Sequence, residues 1–213
     1  MKYAFLILFC LSATGLTFAQ DERFFRKLFS GELTHEKKIE DEKVYAYLVH
    51  SPEYFIDINN DGINESIVSV KRDSEDWIDI YNSYREKIYS YRFETKGAHS
   101  GLYRVLRKQL DNNTIVLVLF YFEGDTNYIN YDSSARIYLL TIDNKDLKTI
   151  SMMKGPSIFE EFKGYKGDYR LRNYEVGVAD LAELGKKQLY IKYRGVSKVF
   201  IYQGAGRWQT FRN

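Results

Sequence analysis

The sequence predicts a mainly β protein in which repeated β-hairpin modules form a sandwich or a partial propeller-like array, with a short N-terminal helix. Three observations predict this class. Short runs rich in β-branched and aromatic residues follow one another along most of the chain. Gly, Asn and Asp separate these runs and favour tight turns. The 213 residues include 19 Tyr and only 2 Pro, a composition typical of half-buried strands.

Residues 1–19 have the features of a secretory signal peptide. Lys2 precedes a short apolar run, and Thr17 and Ala19 form a small-x-small pattern, so we expect cleavage after Ala19. The run is too short to span a bilayer, and no other run reaches transmembrane length. We therefore expect a periplasmic or extracellular protein with no membrane span after cleavage. Its single cysteine, Cys10, lies within the signal, so no disulfide is expected.

Residues 20–43 are expected to form a short amphipathic helix and a charged linker. Phe24, Phe25, Leu28 and Phe29 recur at helical spacing before Gly31. We expect this aromatic face to cap the β-core; contact with a membrane or a partner is the alternative interpretation. Residues 35–43 are a run of charges typical of a solvated link.

Residues 44–213 are expected to form a single β-rich domain. Hairpins are predicted over 77–93 and 136–152, and the glycines at 204 and 206 predict a hairpin turn. The uninterrupted apolar run 114–122 predicts a strand that is covered on both faces and lies at the centre of its sheet. Residues 155–173 are expected to be irregular, with a short helical turn at 158–162.

The charge of the chain narrows the class of partner. It has 31 basic and 29 acidic residues mixed along its length, for a formal net charge of +2. Nucleic-acid-binding proteins concentrate Lys and Arg on one face. We therefore expect no nucleic acid, and a protein or a glycan as the partner.

Acidic and amide side chains recur in residues 54–70 at a spacing typical of a calcium loop. Asp57, Asn59 and Asp61 alternate, Gly62 permits a sharp turn, and Glu65 follows between two predicted strands. Calcium prefers hard oxygen ligands, and the carboxylates would repel one another without a cation. The predicted ligands are Asp57, Asn59, Asp61, the backbone carbonyl of Ile63, and Glu65.

The predicted calcium site is expected to be weak, and it has an alternative interpretation. The bidentate glutamate that closes helix-flanked calcium loops is replaced by Val68, so we expect a weak structural site, with a dissociation constant of about 0.1–1 mM. The alternative interpretation is a turn without an ion, in which Asn59 and Asp61 bond to their own backbone.

A degenerate copy of this stretch lies near the end of the chain. In residues 176–191, Asp180, Gly185 and Gln188 match Asp57, Gly62 and Glu65, whereas Ala182 and Leu184 replace Asn59 and Asp61. Residues 199–203 also match 78–82. These matches predict related modules near 54–93 and 175–211, and residues 137–150, preceded by a short loop at Asp111, form a weaker third candidate.

The pattern of a strand, D-x-N-x-D-G-x-x-E, a strand and I-x-I-Y-N resembles the FG-GAP or VCBS-type repeat of exported bacterial proteins and integrin α-chains. The resemblance covers residues 54–82, with the degenerate copy at 175–203. It implies a calcium-binding loop between two strands and, in long family members, a propeller blade. Propellers need at least four blades, which is why we expect a sandwich or partial array here.

No catalytic motif is evident. His35, His50 and His99 are the only histidines and are widely spaced. Glu160 and Glu161 are acidic residues for which only folding would decide whether they form a pair. We therefore expect a non-catalytic binding, adhesion or scaffold module, with a hydrolase of unrecognised site as the alternative. A small outer-membrane β-barrel is disfavoured because residues 114–122 are apolar throughout.

Overall fold

The computed structural model describes residues 53–95, 99–126, 131–167, 169–181, 185–194 and 196–212. The predicted signal peptide, helix and linker lie outside these residues and stay predictions. The described residues form thirteen strands in three antiparallel sheets, so the mainly β class is confirmed. No helix in this part of the chain combines the length and apolarity needed to cross a bilayer.

Sheet I is a meander of four strands in sequential order. Its strands are β1 (Glu53–Ile56), β2 (Glu65–Arg72), β3 (Glu75–Tyr81) and β4 (Lys87–Arg92). The predicted hairpin over 77–93 is confirmed. Asn82 closes its turn because its side-chain oxygen accepts the backbone N–H groups of Tyr84 and Glu86 at 3.0 and 2.9 Å.

Sheet II has five longer strands, also in sequential order. They are β5 (His99–Gln109), β6 (Ile115–Thr126), β7 (Tyr131–Ile142), β8 (Ser151–Lys163) and β9 (Tyr169–Asn173), with a 3₁₀ helix, Leu147–Thr149, before β8. Residues 114–122 are buried throughout, as predicted. The prediction that they form the central strand is wrong, because β7 occupies the middle of the sheet.

The prediction of a helical turn at 158–162 is wrong. These residues belong to β8, which hydrogen-bonds to β7 on one side and β9 on the other. Pairing on both sides satisfies their backbone groups and outweighs local helical preference. Pro156 is accommodated because the register of β7 and β8 shifts between Ala135 and Tyr138.

Sheet III is a second four-stranded meander. Its strands are β10 (Glu175–Ala179), β11 (Gln188–Tyr193), β12 (Val196–Gly204) and β13 (Arg207–Arg212). The hairpin turn predicted at 204–206 is confirmed. Gly206 is required there, because its φ is +73° and an added Cβ would lie 2.7 Å from the side chain of Ser151 in sheet II.

Buried side chains of sheets I and II form one hydrophobic core. Alternate residues of β6, namely 115, 117, 119 and 121, contact this core, as expected for a strand whose side chains alternate between faces. Sheet I contributes Tyr54, Ile56, Ile58, Ile67, Ile78, Ile80 and the following Phe93. The first strand and the loop after it are therefore held against sheet II by burial of apolar surface.

Strand pairing changes the predicted correspondence between residues of β3 in sheet I and residues of β12 in sheet III. In both sheets the residue before the loop pairs with the residue after it, Ile56 with Glu65 and Ala179 with Gln188. From that register, Asp79, which pairs with Val68, corresponds to Lys198, which pairs with Ile191, and not to Phe200. This displacement is two residues, and because side chains alternate with a period of two, Lys198 and Phe200 point to the same face of β12. That the two stretches are related modules stays a prediction.

Candidate functional site

The loop formed by residues 57–64, here the first loop, joins β1 to β2 and is folded around the carboxylate of Asp57. One oxygen of Asp57 accepts the backbone N–H groups of Asn60 and Asp61 at 2.6 and 3.2 Å, and the other accepts that of Gly62 at 3.0 Å. Asn60 and Gly62 have φ values of +65° and +88°. Both residue types tolerate this left-handed conformation, which brings the N–H groups round to the carboxylate.

Asn59 and Asp61 continue the same pattern of local bonds. The Asn59 side-chain oxygen accepts the N–H of Asp61 at 3.1 Å, and its amide donates to Asp61 at 2.8 Å. Asp61 also accepts the N–H of Ile63 at 2.8 Å. The structure thus brings together three of the predicted ligands, Asp57, Asn59 and Asp61, and each of them holds the loop's own backbone.

Glu65, the first residue of β2, is 2 % exposed and reaches back across the loop. Its carboxylate accepts the backbone N–H of Ile58 at 2.9 Å. Burial raises the pKa of Glu65, the negative charges of Asp61 and Asp57 raise it further, and the bond from Ile58 opposes them. The loop therefore gathers negative charge around a buried carboxyl group.

Arg107 of sheet II also contacts the first loop, and sequence reasoning missed it. Its guanidinium donates to the side-chain oxygen of Asn60 at 3.1 Å. The two residues are 47 positions apart, so no local pattern in the sequence relates them. Arg107 fixes the loop against the neighbouring sheet and brings a positive charge close to it.

The candidate ligand atoms of the first loop suit a hard cation, because all are carboxylate, amide or carbonyl oxygens. An oxygen that accepts one N–H keeps a second lone pair for another partner. The described residues contain no group of three or more His, Cys, Asp or Glu placed to hold a metal ion. A cation here would thus depend on the Asn59 amide and the Ile63 carbonyl as well as on the carboxylates.

The corresponding loop of sheet III, residues 180–187, here the second loop, repeats part of this arrangement. Asp180 accepts the backbone N–H of Gly185 at 2.7 Å, and Gly185 has a φ of +71°. The Gln188 side-chain oxygen accepts the N–H of Leu181 at 2.7 Å, as Glu65 does with Ile58. A neutral amide thus makes the same bond as the buried carboxylate.

A polar cleft of about 360 Å³ lies at the end of sheet II that extends past the core shared with sheet I. Carboxylates, hydroxyls and cationic groups from β6, β7, β8 and β9 line it, together with Glu94, which follows β4. Glu160 lines the cleft, where it lies 3.9 Å from Arg170. The adjacent Glu161 accepts the hydroxyl of Tyr169 at 3.0 Å.

Reasoning from the sequence gave no ground for pairing Glu160 with Glu161. It missed Glu123 and Ser134. Glu123, Ser134 and Glu160 are register partners on three adjacent strands. Their positions 123, 134 and 160 have no regular spacing in sequence, so only strand pairing brings them together. The side chains of His35, His50 and His99 lie outside the described part of the chain.

Comparisons of the chain with models of known families, with curated proteins and with solved structures find no match.

Proposed function

We propose that the protein is an exported binding or adhesion module in which the first loop holds a structural calcium ion. The ion would be bound by Asp57, Asn59, Asp61, the Ile63 carbonyl and Glu65, and it would stabilise the connection between β1 and β2. Calcium would supply positive charge where the negative charges of Asp57 and Asp61 act on the buried carboxyl group of Glu65. The predicted signal peptide and the resemblance to exported repeats support the binding role.

One observation carries the calcium proposal. The second loop keeps the turn bonds made by Asp180 and Gln188, although Ala182 and Leu184 replace Asn59 and Asp61 in its sequence. Side chains equivalent to Asn59 and Asp61 are therefore not needed for these two bonds. In the first loop they bond to the backbone, and as oxygen-bearing side chains at alternate positions they would also supply two ligands to a cation.

The test is the melting temperature of the protein with and without calcium. At about 10 mM calcium, a site with a dissociation constant of about 0.1–1 mM stabilises the folded state by about 1.4–2.7 kcal/mol. For a domain of this size the melting temperature should rise by about 3–10 °C. Asp61→Ala should remove most of that rise.

Asp146→Ala is the matched control. Asp146 accepts the N–H of Lys148 at 2.9 Å, as Asp61 accepts that of Ile63 at 2.8 Å, but it lies in the connection between β7 and β8, outside the first loop. This variant should melt lower and yet keep the full response to calcium. An equal response in Asp61→Ala and Asp146→Ala would reject the calcium site.

A hydrolase is the second candidate, and the polar cleft favours it. Glu123 and Glu160 are separated by one intervening strand, so their Cα atoms are about 10 Å apart. Glycosidases use two carboxyl groups about 5–9.5 Å apart, a separation that two glutamate side chains on one face of the sheet can reach from these Cα positions. Release of reducing ends from oligosaccharides, abolished in Glu160→Gln, would favour this candidate over a binding module.

A further inference from the structure

We propose that the polar cleft at the end of sheet II binds a neutral saccharide. The inference rests on the proposed binding role and names the chemical class of the partner. It follows from the order of hydrogen-bonding groups across the floor of the cleft and from an exposed aromatic ring beside them.

The floor of the cleft contains two adjacent rows of side chains set by strand register. The first row crosses β6, β7 and β8 through Glu123, Ser134 and Glu160. The next row contains Arg136 and Ser157, which are also register partners. On β7, Ser134 and Arg136 are two residues apart, a separation of about 7 Å. The two rows are thus close enough for one small ligand to contact both.

The rows differ in the hydrogen bonds they can make. Ionised carboxylates only accept hydrogen bonds, and a guanidinium only donates them, whereas hydroxyl groups do both. Within the first row, the hydroxyl of Ser134 lies 3.5 Å from the Glu123 carboxylate. In the second row, Arg136 donates to the carbonyl of Gly155 at 2.7 Å and lies 3.3 Å from the Ser157 hydroxyl. A ligand rich in hydroxyl groups can therefore bond to both rows at once.

The charges of the cleft disfavour a strongly charged ligand. Lys154 forms an ion pair with Glu94, and Arg170 and Arg172 lie 3.9 and 4.0 Å from Glu160. An anion would meet the carboxylates of the first row, and a cation would meet the guanidinium groups around it. A neutral ligand avoids both repulsions and leaves the ion pairs in place.

Phe162 adds an apolar surface to the cleft. It is 39 % exposed and lies two residues after Glu160 on β8, so the two side chains share one face of the sheet. Sugar rings have apolar C–H faces as well as hydroxyl edges, and burial of such a face against an aromatic ring is favourable. The volume of about 360 Å³ lies within the usual range for small-ligand sites.

The test is binding of the whole protein to an array of neutral, acidic and basic glycans, followed by calorimetry with the best neutral oligosaccharide. We expect a neutral glycan to bind with an affinity that changes less than about twofold between low and high salt. Glu123→Gln and Glu160→Gln, which preserve side-chain volume, should each weaken binding about tenfold or more, because bonds to charged groups contribute strongly. Phe162→Ala should weaken it as well.

Glu175→Gln is the control, since Glu175 is an exposed residue of β10 outside the cleft. It should bind like the unmodified protein, and circular dichroism should show all variants folded. Binding only to acidic or basic glycans, binding to none, or equal affinity in the Glu123→Gln and Glu175→Gln proteins would overturn the inference. Calcium-dependent melting is a separate measurement, so this failure would leave the calcium site standing.

Discussion

The first and second loops occupy the same place in two sheets with the same strand order, yet they differ in what their side chains offer. Both begin with an aspartate that accepts the N–H of a left-handed glycine, and both end at a buried Glu or Gln that accepts the N–H of the second loop residue. The residues between them differ. The first loop has Asn59 and Asp61, and the second has Ala182 and Leu184.

The two loops are also anchored differently. Ile58 is fully buried in the core between sheets I and II, whereas the equivalent Leu181 is 52 % exposed. In sheet III the anchoring comes from polar contacts: Lys187 donates its backbone N–H to the carbonyl of Leu110 at 2.8 Å. The comparison separates the side chains that make the bonds common to both loops from Asn59 and Asp61, which only the first loop has.

The largest expected effect comes from Asp79, which corresponds by register to the exposed Lys198 of sheet III. The Asp79 side chain is fully buried and accepts hydrogen bonds from Ser90 and Arg72. Asp79→Ala should lower the free energy of unfolding by about 2–3 kcal/mol, since it leaves the hydrogen-bonding groups of Ser90 and Arg72 without their partner. Lys198→Ala should change it by less than about 0.5 kcal/mol. Urea denaturation at neutral pH measures both.

We also expect the contribution of Asp79 to stability to be lost in acid. Burial by itself raises the pKa of Asp79, but the bonds from Ser90 and Arg72 and the charges of Arg72 and Lys87 outweigh it, so the pKa lies below its ordinary value. The contribution of Asp79 is therefore full above the unfolded pKa of about 3.9 and is lost as the pH falls through the lower folded pKa. The difference between the unmodified protein and Asp79→Ala should shrink over that range; a constant difference would contradict this explanation.

The next largest effect is expected from a variant in which the second loop carries the oxygen-bearing side chains of the first. The triple change Ala182→Asn, Leu184→Asp and Gln188→Glu gives the second loop the same set of side-chain oxygens as the first, on a loop that already makes two of the first loop's bonds. We expect a second calcium site, with an additional stabilisation of about 1.4–2.7 kcal/mol at about 10 mM calcium. The control is Gln188→Glu alone, which should gain little. Calorimetry that still detects a single site in the triple variant would show that these oxygens are not sufficient.

The smallest effect is expected from Glu65→Gln, which gives the first loop the amide of the second. The raised pKa of Glu65 means that its contribution is present below the unfolded pKa of about 4.3 and is lost as the pH rises through the folded pKa. Without calcium at neutral pH, the variant should thus be as stable as the unmodified protein or more stable, by up to about 1 kcal/mol. With calcium this order should reverse. Denaturation in the presence of a chelator and in the presence of calcium measures the two stability orders. A Glu65→Gln protein that is less stable than the unmodified protein in chelator would contradict the explanation that burial raises the pKa of Glu65.

Much of the fold could be predicted because strand and turn signals are local. The hairpin over 77–93, the turn at 204–206 and the full burial of 114–122 all follow from short patterns of apolar and turn-forming residues. The strand at 158–162 was not predicted, because its conformation depends on partners in β7 and β9. The grouping of Asp57, Asn59 and Asp61 was predicted because all three lie within one short loop.

The sequence by itself determined the β class, the turns and the order of oxygen-bearing side chains in the first loop, because these depend on neighbours a few residues away. Only the tertiary structure decided that Arg107 meets Asn60, that β7 lies at the middle of sheet II, and that Glu123, Ser134 and Glu160 share one row. Such contacts arise from the pairing and packing of distant strands. A shift of one residue in strand register would turn every side chain of the strand to the opposite face. The register is therefore set by burial across the whole sheet and not by any local pattern.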